Sequence, residues 1–272
     1  METSFVSGTD RQLQILQLVE RQQRISVADI CSTFDVSEAT ARRDLETLAN
    51  EGKLQRVHGG AIVLTQAPPE QPILQRQSEQ ADEKARIGQA AAALVQDGET
   101  VFLGSGTTVL EAARALRGRR NLTVLTNSLP VVNALAGAEG MSIICLGGML
   151  RESEFSFIGH ITEQALAEVR ADKVILGTRA ISLEYGLTHE YLPETLTDRA
   201  ILKAGKEIIV LADHTKLGRA ATVLLAPLES IQILITDEQA PGDFIEAVQE
   251  RGLRVIIPNS SSKTPALAPG QG

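Results

Sequence analysis

Tryptophan is missing from the 272 residues and aromatic side chains amount to 3% of them, which excludes an aromatic-rich β-sandwich core. What remains is a core of Ala, Val, Leu and Ile, the composition of parallel sheets covered by helices. Cysteine is nearly missing too. Cys31 and Cys145 stand alone, with no CxxC and no Cys/His spacing, so a disulfide framework and a zinc site are excluded and both read as reduced core residues. Nothing else in the sequence asks for a metal or a cofactor. No apolar run approaches the ~20 residues that cross a bilayer, and METSFVSGTD lacks the charged-then-apolar layout of a signal peptide. The expectation is a cytoplasmic protein with no membrane partner. Positive charge is scarce as well. The net charge of −8 argues against nonspecific coating of nucleic acid, an affinity that rests on phosphate neutralisation. Against these absences, 43% hydrophobic and 22% charged residues suffice for a globular chain, and the length suits one small and one medium domain.

The first 64 residues carry seven Lys/Arg against nine Asp/Glu, so a nucleic-acid role there rests on where the charges lie. Thr9, with Gln12 three positions on, marks a helix start, and Leu13, Leu16 and Val19 follow at helical spacing to about Gln23. Ile25-Ser26-Val27 is a short β-prone step. Ser26 and Asp29 have capping-box spacing for a second helix, in which Val27, Ile30, Cys31 and Phe34 form one apolar stripe. That helix stops at Asp35-Val36 and Ser37 caps a third, with Val36 and Ala41 as a hydrophobic staple. Ala41, Leu45 and Leu48 face the core, leaving Glu38, Ala39, Arg42 and Arg43 on another face. Such a helix fits the major groove, where arginine reads guanine edges or clamps phosphates. Gly52 ends it, and Leu54 to Val57 and Ala61 to Leu64, around His58-Gly59-Gly60, read as a wing with Arg56 and His58 near its tip. Arg42, Arg43, Lys53, Arg56 and His58 then form one positive edge that can orient on a duplex through its phosphates. The alternative from these residues alone is a protein-interaction module with solvated arginines.

The run VSEATARRDLETLANEGKLQRVHGGA, residues 36–61, resembles the DNA-binding signature of the DeoR family of bacterial regulators. In that family the arginine pair, the Asp-Leu after it and the wing's Arg-x-His-Gly-Gly-Ala are characteristic. The resemblance implies that Ser37, Thr40, Arg42 and Arg43 approach DNA. Ala41 stands where the family usually has Ile, a departure that loosens helix packing and leaves the DNA face alone.

Between Thr65 and Gln77 the periodicity fails and Pro68, Pro69 and Pro72 accumulate, the composition of a linker. This places a DNA-binding winged helix-turn-helix at 9–64, a linker at 65–78 and a second domain at 79–258. An alanine-rich helical segment runs from Glu79 to Gln96. The runs TVFLG, LTVLTN, SIICLGG, KVILG, EIIVLAD and QILITD then alternate with helical segments, the signature of a Rossmann-like, mostly parallel α/β domain. Ligands of such sheets bind at the carboxyl ends of the strands. Gly104-Ser105-Gly106-Thr107-Thr108 follows the first strand and opens a helix, so its N–H groups and hydroxyls can cradle an anion, a phosphate being the natural occupant. A merely tight turn would look the same. Asn127-Ser128, Gly147-Gly148 and Asp213 to Lys216 end other strands, and their polar convergence favours a binding site. Lys216 has two readings, pairing with a phosphate or with Asp213. His160 and His189, without visible partners at ligand spacing, read as loop residues. Residues 259–272, rich in Ser, Pro, Gly and Ala, read as a disordered tail.

The order GSGTT, TNS, LGG, GLT and LADHTKLGR is similar to the sensor domain of the same family, so the likeness runs from about Arg11 to Pro258. It implies a domain related to ribose-5-phosphate isomerase and coenzyme A transferases that works as a sensor of phosphorylated sugars or related metabolites. Three departures bear on the effector. Gly104 stands where many members carry an aspartate, which removes a sugar-hydroxyl contact. Thr178-Arg179-Ala180-Ile181 replaces an Asp-Gly or Asn-Gly pair and brings a cation, Arg179, toward an anionic effector. Thr197-Asp198-Arg199 stands where a lysine often precedes the arginine. The whole reads as a sequence-specific transcriptional regulator, a repressor of a carbohydrate or related operon released by a phosphorylated metabolite. It is expected to act as a homo-dimer or homo-tetramer on a repeated double-stranded DNA operator. Two readings compete. One keeps the DNA-binding domain and makes the second domain a ligand-free oligomerisation scaffold. The other is a sugar-phosphate isomerase, which needs a general base and a group to stabilise the enediolate where this sequence has Gly177-Thr178-Arg179-Ala180. No catalytic residue is assigned.

Overall fold

The computed structural model describes residues 8–22, 24–50, 53–57, 59–63 and 67–259, in two units divided between Pro68 and Pro69. In the first unit, α1 (Gly8–Gln22), β1 (Arg24–Ser26), α2 (Val27–Phe34) and α3 (Glu38–Asn50) are followed by the hairpin of β2 (Leu54–Val57) and β3 (Gly60–Val63). β3 lies between β1 and β2, antiparallel to both. The expected capping box closes. Ser26 Oγ accepts from the Asp29 N–H and the Asp29 carboxylate accepts from the Ser26 N–H, each at 3.0 Å. α2 ends where Asp35 turns left-handed, at φ 51°. Ile15, Ile30, Ala41, Leu45, Leu48 and Leu54 meet in the small core. α1 begins at Gly8, so Thr9 lies inside its first turn instead of capping it. On the inner side of α3, buried Asp44 accepts from Arg11 Nε at 2.7 Å and Gln12 Nε2 at 3.0 Å. This polar tie of α1 to α3 has no trace in the apolar periodicity.

The second unit opens with α4 (Ile73–Arg76) and α5 (Ala81–Ala93). Then come β4 (Thr100–Leu103), α6 (Thr107–Leu116), β5 (Leu122–Thr126), α7 (Leu129–Leu135), β6 (Met141–Cys145), β7 (Met149–Arg151) and β8 (Ser156–Ile158). Next are α8 (His160–Ala167), β9 (Ala171–Gly177), β10 (Ala180–Ser182), β11 (Gly186–His189), α9 (Leu192–Ala204) and β12 (Gly205–Leu211). The last are β13 (Val223–Ala226), β14 (Ile233–Ile235), α10 (Gly242–Glu250) and β15 (Arg254–Ile256). Seven strands form one sheet in the order β15-β14-β12-β9-β4-β5-β6, every pair parallel. The six apolar runs supply six of them, and three-residue β15 is the seventh. The chain steps from β4 out to β6, crosses back to β9 and steps the other way to β15, so the order reverses between β4 and β9. Alternate side chains serve two layers: Val101, Leu103, Ile175 and Leu211 pack with α5 to α7, and Phe102, Val174, Leu176 and Val210 with α8 to α10. A small antiparallel sheet, β10-β11-β13, and the β7–β8 hairpin complete the unit. α5 meets α6 at Gly88, where a Cβ would lie 2.6 Å from Ala112 N and 2.7 Å from Glu111 C.

Several expectations meet a different outcome. Residues 69–78, read as linker, open the second unit: Ile73 is fully buried and its N–H donates to the Ser153 carbonyl at 2.8 Å. The prolines shape a strap whose short helix turns Ile73 inward. His160 begins α8 and His189 ends β11, so neither is a loop residue. Cys31 is only partly buried and Cys145 is exposed, because β6 is the edge strand of the sheet. Among the described residues no helix is long and apolar enough to cross a membrane. Residues 64–66 and 260–272, from the end of the expected wing, the linker and the tail, lie outside the described residues.

Candidate functional site

In the first unit, Ser37 opens α3. Its Oγ accepts from the Thr40 N–H at 3.3 Å and shares a hydrogen bond with Thr40 Oγ1 at 3.0 Å. With Ala41, Asp44, Leu45 and Leu48 turned to the core, Glu38, Ala39, Arg42 and Arg43 are exposed and Thr40 half-buried. Arg56, on β2, donates to the Arg42 carbonyl at 3.4 Å, which draws the wing arginine to the α3 face. Arg42 also pairs with Glu38 at 3.1 Å, both side chains more than half exposed. Such a pair is worth little in water and gives way readily to a phosphate. Seven of the eight residues expected at DNA thus share one surface. The eighth, His58, lies outside the described residues.

In the second unit, a cavity of about 160 Å³ opens where β4, β9 and β12 end. These are adjacent parallel strands, and the reversal of strand order between β4 and β9 is where such sheets leave a crevice. Ser105 to Thr108 follow β4, Gly177 to Arg179 end β9, and Asp213, Thr215 and Lys216 follow β12. Gly106 precedes α6 at φ 112°, a conformation that side chains rarely adopt. Its backbone turn leaves the first N–H groups of α6 without a side-chain cap.

Two lysines line the same cavity as this turn. Lys84, 5% exposed, donates to the Arg76 carbonyl at 2.6 Å, and neither it nor Lys216 has a carboxylate within ion-pair distance among the described residues. Asp213 is engaged elsewhere, accepting from the N–H and hydroxyl of Thr215. The reading of Lys216 as paired with Asp213 is therefore not what the structure contains. Burial pushes the Lys216 ammonium down, and Arg179 and Arg76 add to this against the pull of Asp213, so its pKa sits below that of an ordinary lysine. Lys84 is lowered for the same first reason, with Lys216 contributing. Two ammonium groups held at a cost near an uncapped helix start make a place for an anion.

The remaining charge forms a network. Arg76 pairs with Glu154 at 2.5 Å and with Glu70 at 3.7 Å. Arg151 pairs with Glu70 at 3.2 Å and with Glu194, and stacks over the Tyr191 ring at 4.8 Å. Arg179, 7% exposed, lies 3.6 Å from Glu190, whose carboxylate also accepts from the Glu70 N–H at 2.9 Å. His189 Nδ1 lies 3.3 Å from Asp198. Burial pushes the Glu154 carboxyl up, and Arg76 only partly offsets it. Burial also acts against ionised Glu70, but Arg76 and Arg151 outweigh it and hold that carboxyl below its usual range.

Ser105, Gly106, Thr107, Thr108, Arg179, Asp213 and Lys216 therefore line one cavity, while five residues expected there do not. Gly104 is a packing glycine, because the tip of Leu176 lies 2.3 Å from where its Cβ would be. Asn127 and Ser128 fasten β5 to the β7–β8 hairpin: Asn127 Nδ2 donates to the Phe157 carbonyl at 2.9 Å, and Ser128 pairs with Ser156. Gly147 accepts from Thr162 Oγ1 at 2.9 Å, and Gly148 would place a Cβ 2.1 Å from that oxygen. Glu70, Arg76, Lys84, His189, Glu194 and Asp198 line the cavity without having been expected there.

Comparison with known proteins places both units in one family. Residues 11–67 match the family model of a DeoR-like helix-turn-helix domain, and residues 79–238 that of a DeoR C-terminal sensor domain. This chain belongs to the DeoR family. A transcriptional repressor AccR of Agrobacterium fabrum is 36% identical over 91% of this chain and 96% of its own length. The HTH-type transcriptional repressor GlcR of Bacillus subtilis is 33% identical over 91% and 95%. The glycerol-3-phosphate regulon repressor of Escherichia coli is 32% identical over 92% and 98%. Among solved structures, a ribose 5-phosphate isomerase A from Methanocaldococcus jannaschii is similar at a TM-score of 0.39 and 19% identity over 51% of this chain and 55% of that one, a likeness too loose to carry an argument. A DeoR-family chain with both modules is a DNA-binding transcriptional regulator, and double-stranded DNA is its partner.

Proposed function

We propose that this DeoR-family regulator is a repressor that reads its operator with Ser37 to Arg43 of α3 and the wing arginine Arg56, and releases it when a small phosphorylated metabolite occupies the cavity. The single observation that carries the second half is the pair of lysines, buried Lys84 and half-buried Lys216, with no carboxylate at ion-pair distance among the described residues and an uncapped helix start lining the same cavity. The phosphate of a sugar phosphate satisfies the ammonium groups and the N–H groups together. By the measure in which one water fills about 10–15 Å³, the cavity takes roughly a dozen small groups, the size of a sugar phosphate. A ligand-free scaffold has no use for two lysines whose charged state is disfavoured where they sit.

The cavity binds and does not turn over. Its two carboxylates nearest in kind to a general base are committed, Glu194 to Arg151 and Ser156 Oγ and Asp198 to His189. Release requires that the effector bind the DNA-competent and DNA-incompetent arrangements differently. Glu70 and Arg76 line the cavity on the strap that follows the DNA-reading unit, so an anion competing with Glu70, Glu154 and Glu190 for the arginines acts directly on the connecting chain. Two-fold assembly, as a dimer or tetramer, places two α3 helices on half-sites about one helical turn or a multiple apart.

The test is a titration of the purified protein against its own upstream DNA at fixed salt, with and without a panel of sugar phosphates. Saturable, sequence-preferring binding that one phosphate releases is the expected result. Binding indifferent to every phosphate overturns the sensor half and leaves the operator half standing.

A further inference from the structure

The cavity has a second wall, of opposite chemical character to the lysine wall. We propose that His189 and Asp198 on this wall read the hydroxyls of an uncharged portion of a single-phosphate effector and turn away a compound with a second phosphate or a carboxylate. This rests on the reading of the cavity as the effector site and adds the specificity to it.

His189 ends β11 and Asp198 lies on α9, with side chains 12% and 7% exposed and Nδ1 3.3 Å from the carboxylate. A carboxylate oxygen accepts, so the imidazole tautomer that suits Asp198 carries its hydrogen on Nδ1. Nε2 is then left as a bare acceptor. It is buried and has no hydrogen-bond partner among the described residues, an arrangement that a well-formed protein interior avoids unless something else donates. A hydroxyl donates. A phosphate dianion or a carboxylate does not.

The charge around the pair points the same way. Glu194 lies one helical turn before Asp198 on α9 and is 6% exposed. The guanidinium that neutralises it, Arg151, is shared with Glu70, and Arg76 is shared between Glu154 and Glu70. The cavity walls carry the carboxylates Glu70, Glu79, Glu154, Glu194, Asp198 and Asp213 against the cations Arg76, Lys84, Arg179 and Lys216. Among the described residues the two lysines are the lining cations with no carboxylate at ion-pair distance, and one phosphate engages both. A second anionic group would meet an unpaired acceptor and a carboxylate with no cation to spare, the kind of juxtaposition by which sites reject a wrong ligand. His189, Glu194 and Asp198 also have the mutual spacing of a cation site, with ligand atoms within 4.8 Å of one another. Arg151 already holds Glu194, which makes that place a guanidinium's.

Calorimetric titration of the full-length protein tests this with matched probes: glucose 6-phosphate against 6-phosphogluconate, fructose 6-phosphate against fructose 1,6-bisphosphate, and inorganic phosphate alone. The expected result is that within each pair the compound with one anionic group binds at least about tenfold tighter. Asp198→Lys is expected to reverse the order within the pairs, and His189→Leu to shrink the ratio toward one. A ratio is a readout that mere loss of folded protein does not move. Equal binding within both pairs by the wild-type protein, or ratios that neither substitution alters, overturns the proposal while the phosphate-sensor reading survives. Failure of every phosphorylated probe, and of inorganic phosphate, removes the sensor reading and this proposal with it.

Discussion

Replacing Arg76 by methionine leaves Glu154 buried, 3% exposed, without the guanidinium 2.5 Å away. Methionine keeps most of the side chain's bulk and removes the charge, so the loss is electrostatic. Removing one partner of a buried pair costs about 3–5 kcal/mol because the other charge is stranded. Arg151 stays near and lowers Glu154 in its own right, which places the expected loss at the lower end, about 3 kcal/mol, or more than a hundredfold in the folding equilibrium. The loss depends on pH. Glu154 already sits above its usual carboxyl range through burial, and Arg76 supplies two of the influences that pull it down. Without Arg76 the folded-state value rises further. A carboxyl whose folded pKa is raised binds more protons folded than unfolded, so its contribution is intact below the unfolded value of 4.5 and is lost as pH rises through the folded value. The variant's deficit should therefore be smaller at about pH 5 than at about pH 8. Urea denaturation at the two pH values measures this, and Glu154→Gln in the Arg76→Met background should recover most of the loss. A deficit of the same size at both pH values, or no recovery, would show that Arg76 stabilises by packing and refute the reasoning.

Three further outcomes follow from the same structure. Gly88→Ala forces a methyl group to within 2.6 Å of the α6 backbone, so α5 and α6 must part. A loss of about 1–3 kcal/mol in thermal melts with weaker effector binding is expected, since α6 carries the turn proposed to hold the phosphate; an unchanged melt would mean that the helices adapt freely. Arg43→Ala should weaken operator binding by about 1–3 kcal/mol and leave effector titrations unchanged, and loss of both would mark a folding defect. Asp237 accepts from the His214 N–H at 2.7 Å and faces His214 Nδ1 at 2.9 Å, fixing the turn that bears Lys216. Burial pulls His214 down, but Asp237, then Asp213 and Glu83, outweigh it and hold the ring above 6.5. Its stabilisation is thus complete below 6.5 and fades as pH rises through the folded value. Asp237→Asn should flatten that alkaline decline in urea midpoints, and identical slopes in the two proteins would count against the clasp.

The sheet was legible in the sequence because strands buried on both faces read as unbroken apolar runs, and GSGTT was legible because a strand, a turn and a helix start coincide there. What the runs could not separate is a strand end that binds from one that packs. Gly147-Gly148 and Asn127-Ser128 look like ligand loops, yet Thr162 and Phe157, residues distant in sequence, determine that they fasten elements together. His189 read as a loop residue because its partner sits on the next helix, beyond a turn, where no spacing rule reaches. The strap escaped for another reason. Three prolines in five residues and a helix of four, Ile73–Arg76, give no period to detect, and the pairing of Glu70 and Arg76 with Arg151 and Glu154 is invisible until the β7–β8 hairpin is placed beside them.

That strap sets where DeoR-type modules can be exchanged. The proline-rich stretch ahead of Glu79 looks like a seam at which one DNA reader could be traded for another, in evolution or at the bench. A cut there would strip the receiving sensor of Ile73, its plug, and of Glu70 and Arg76, two of its walls. A junction ahead of Pro69 carries the strap across with the cavity that it closes. Chimeras joined at the earlier point should inherit the donor's effector preference intact, while those joined at the later one inherit a cavity assembled from two unrelated parents.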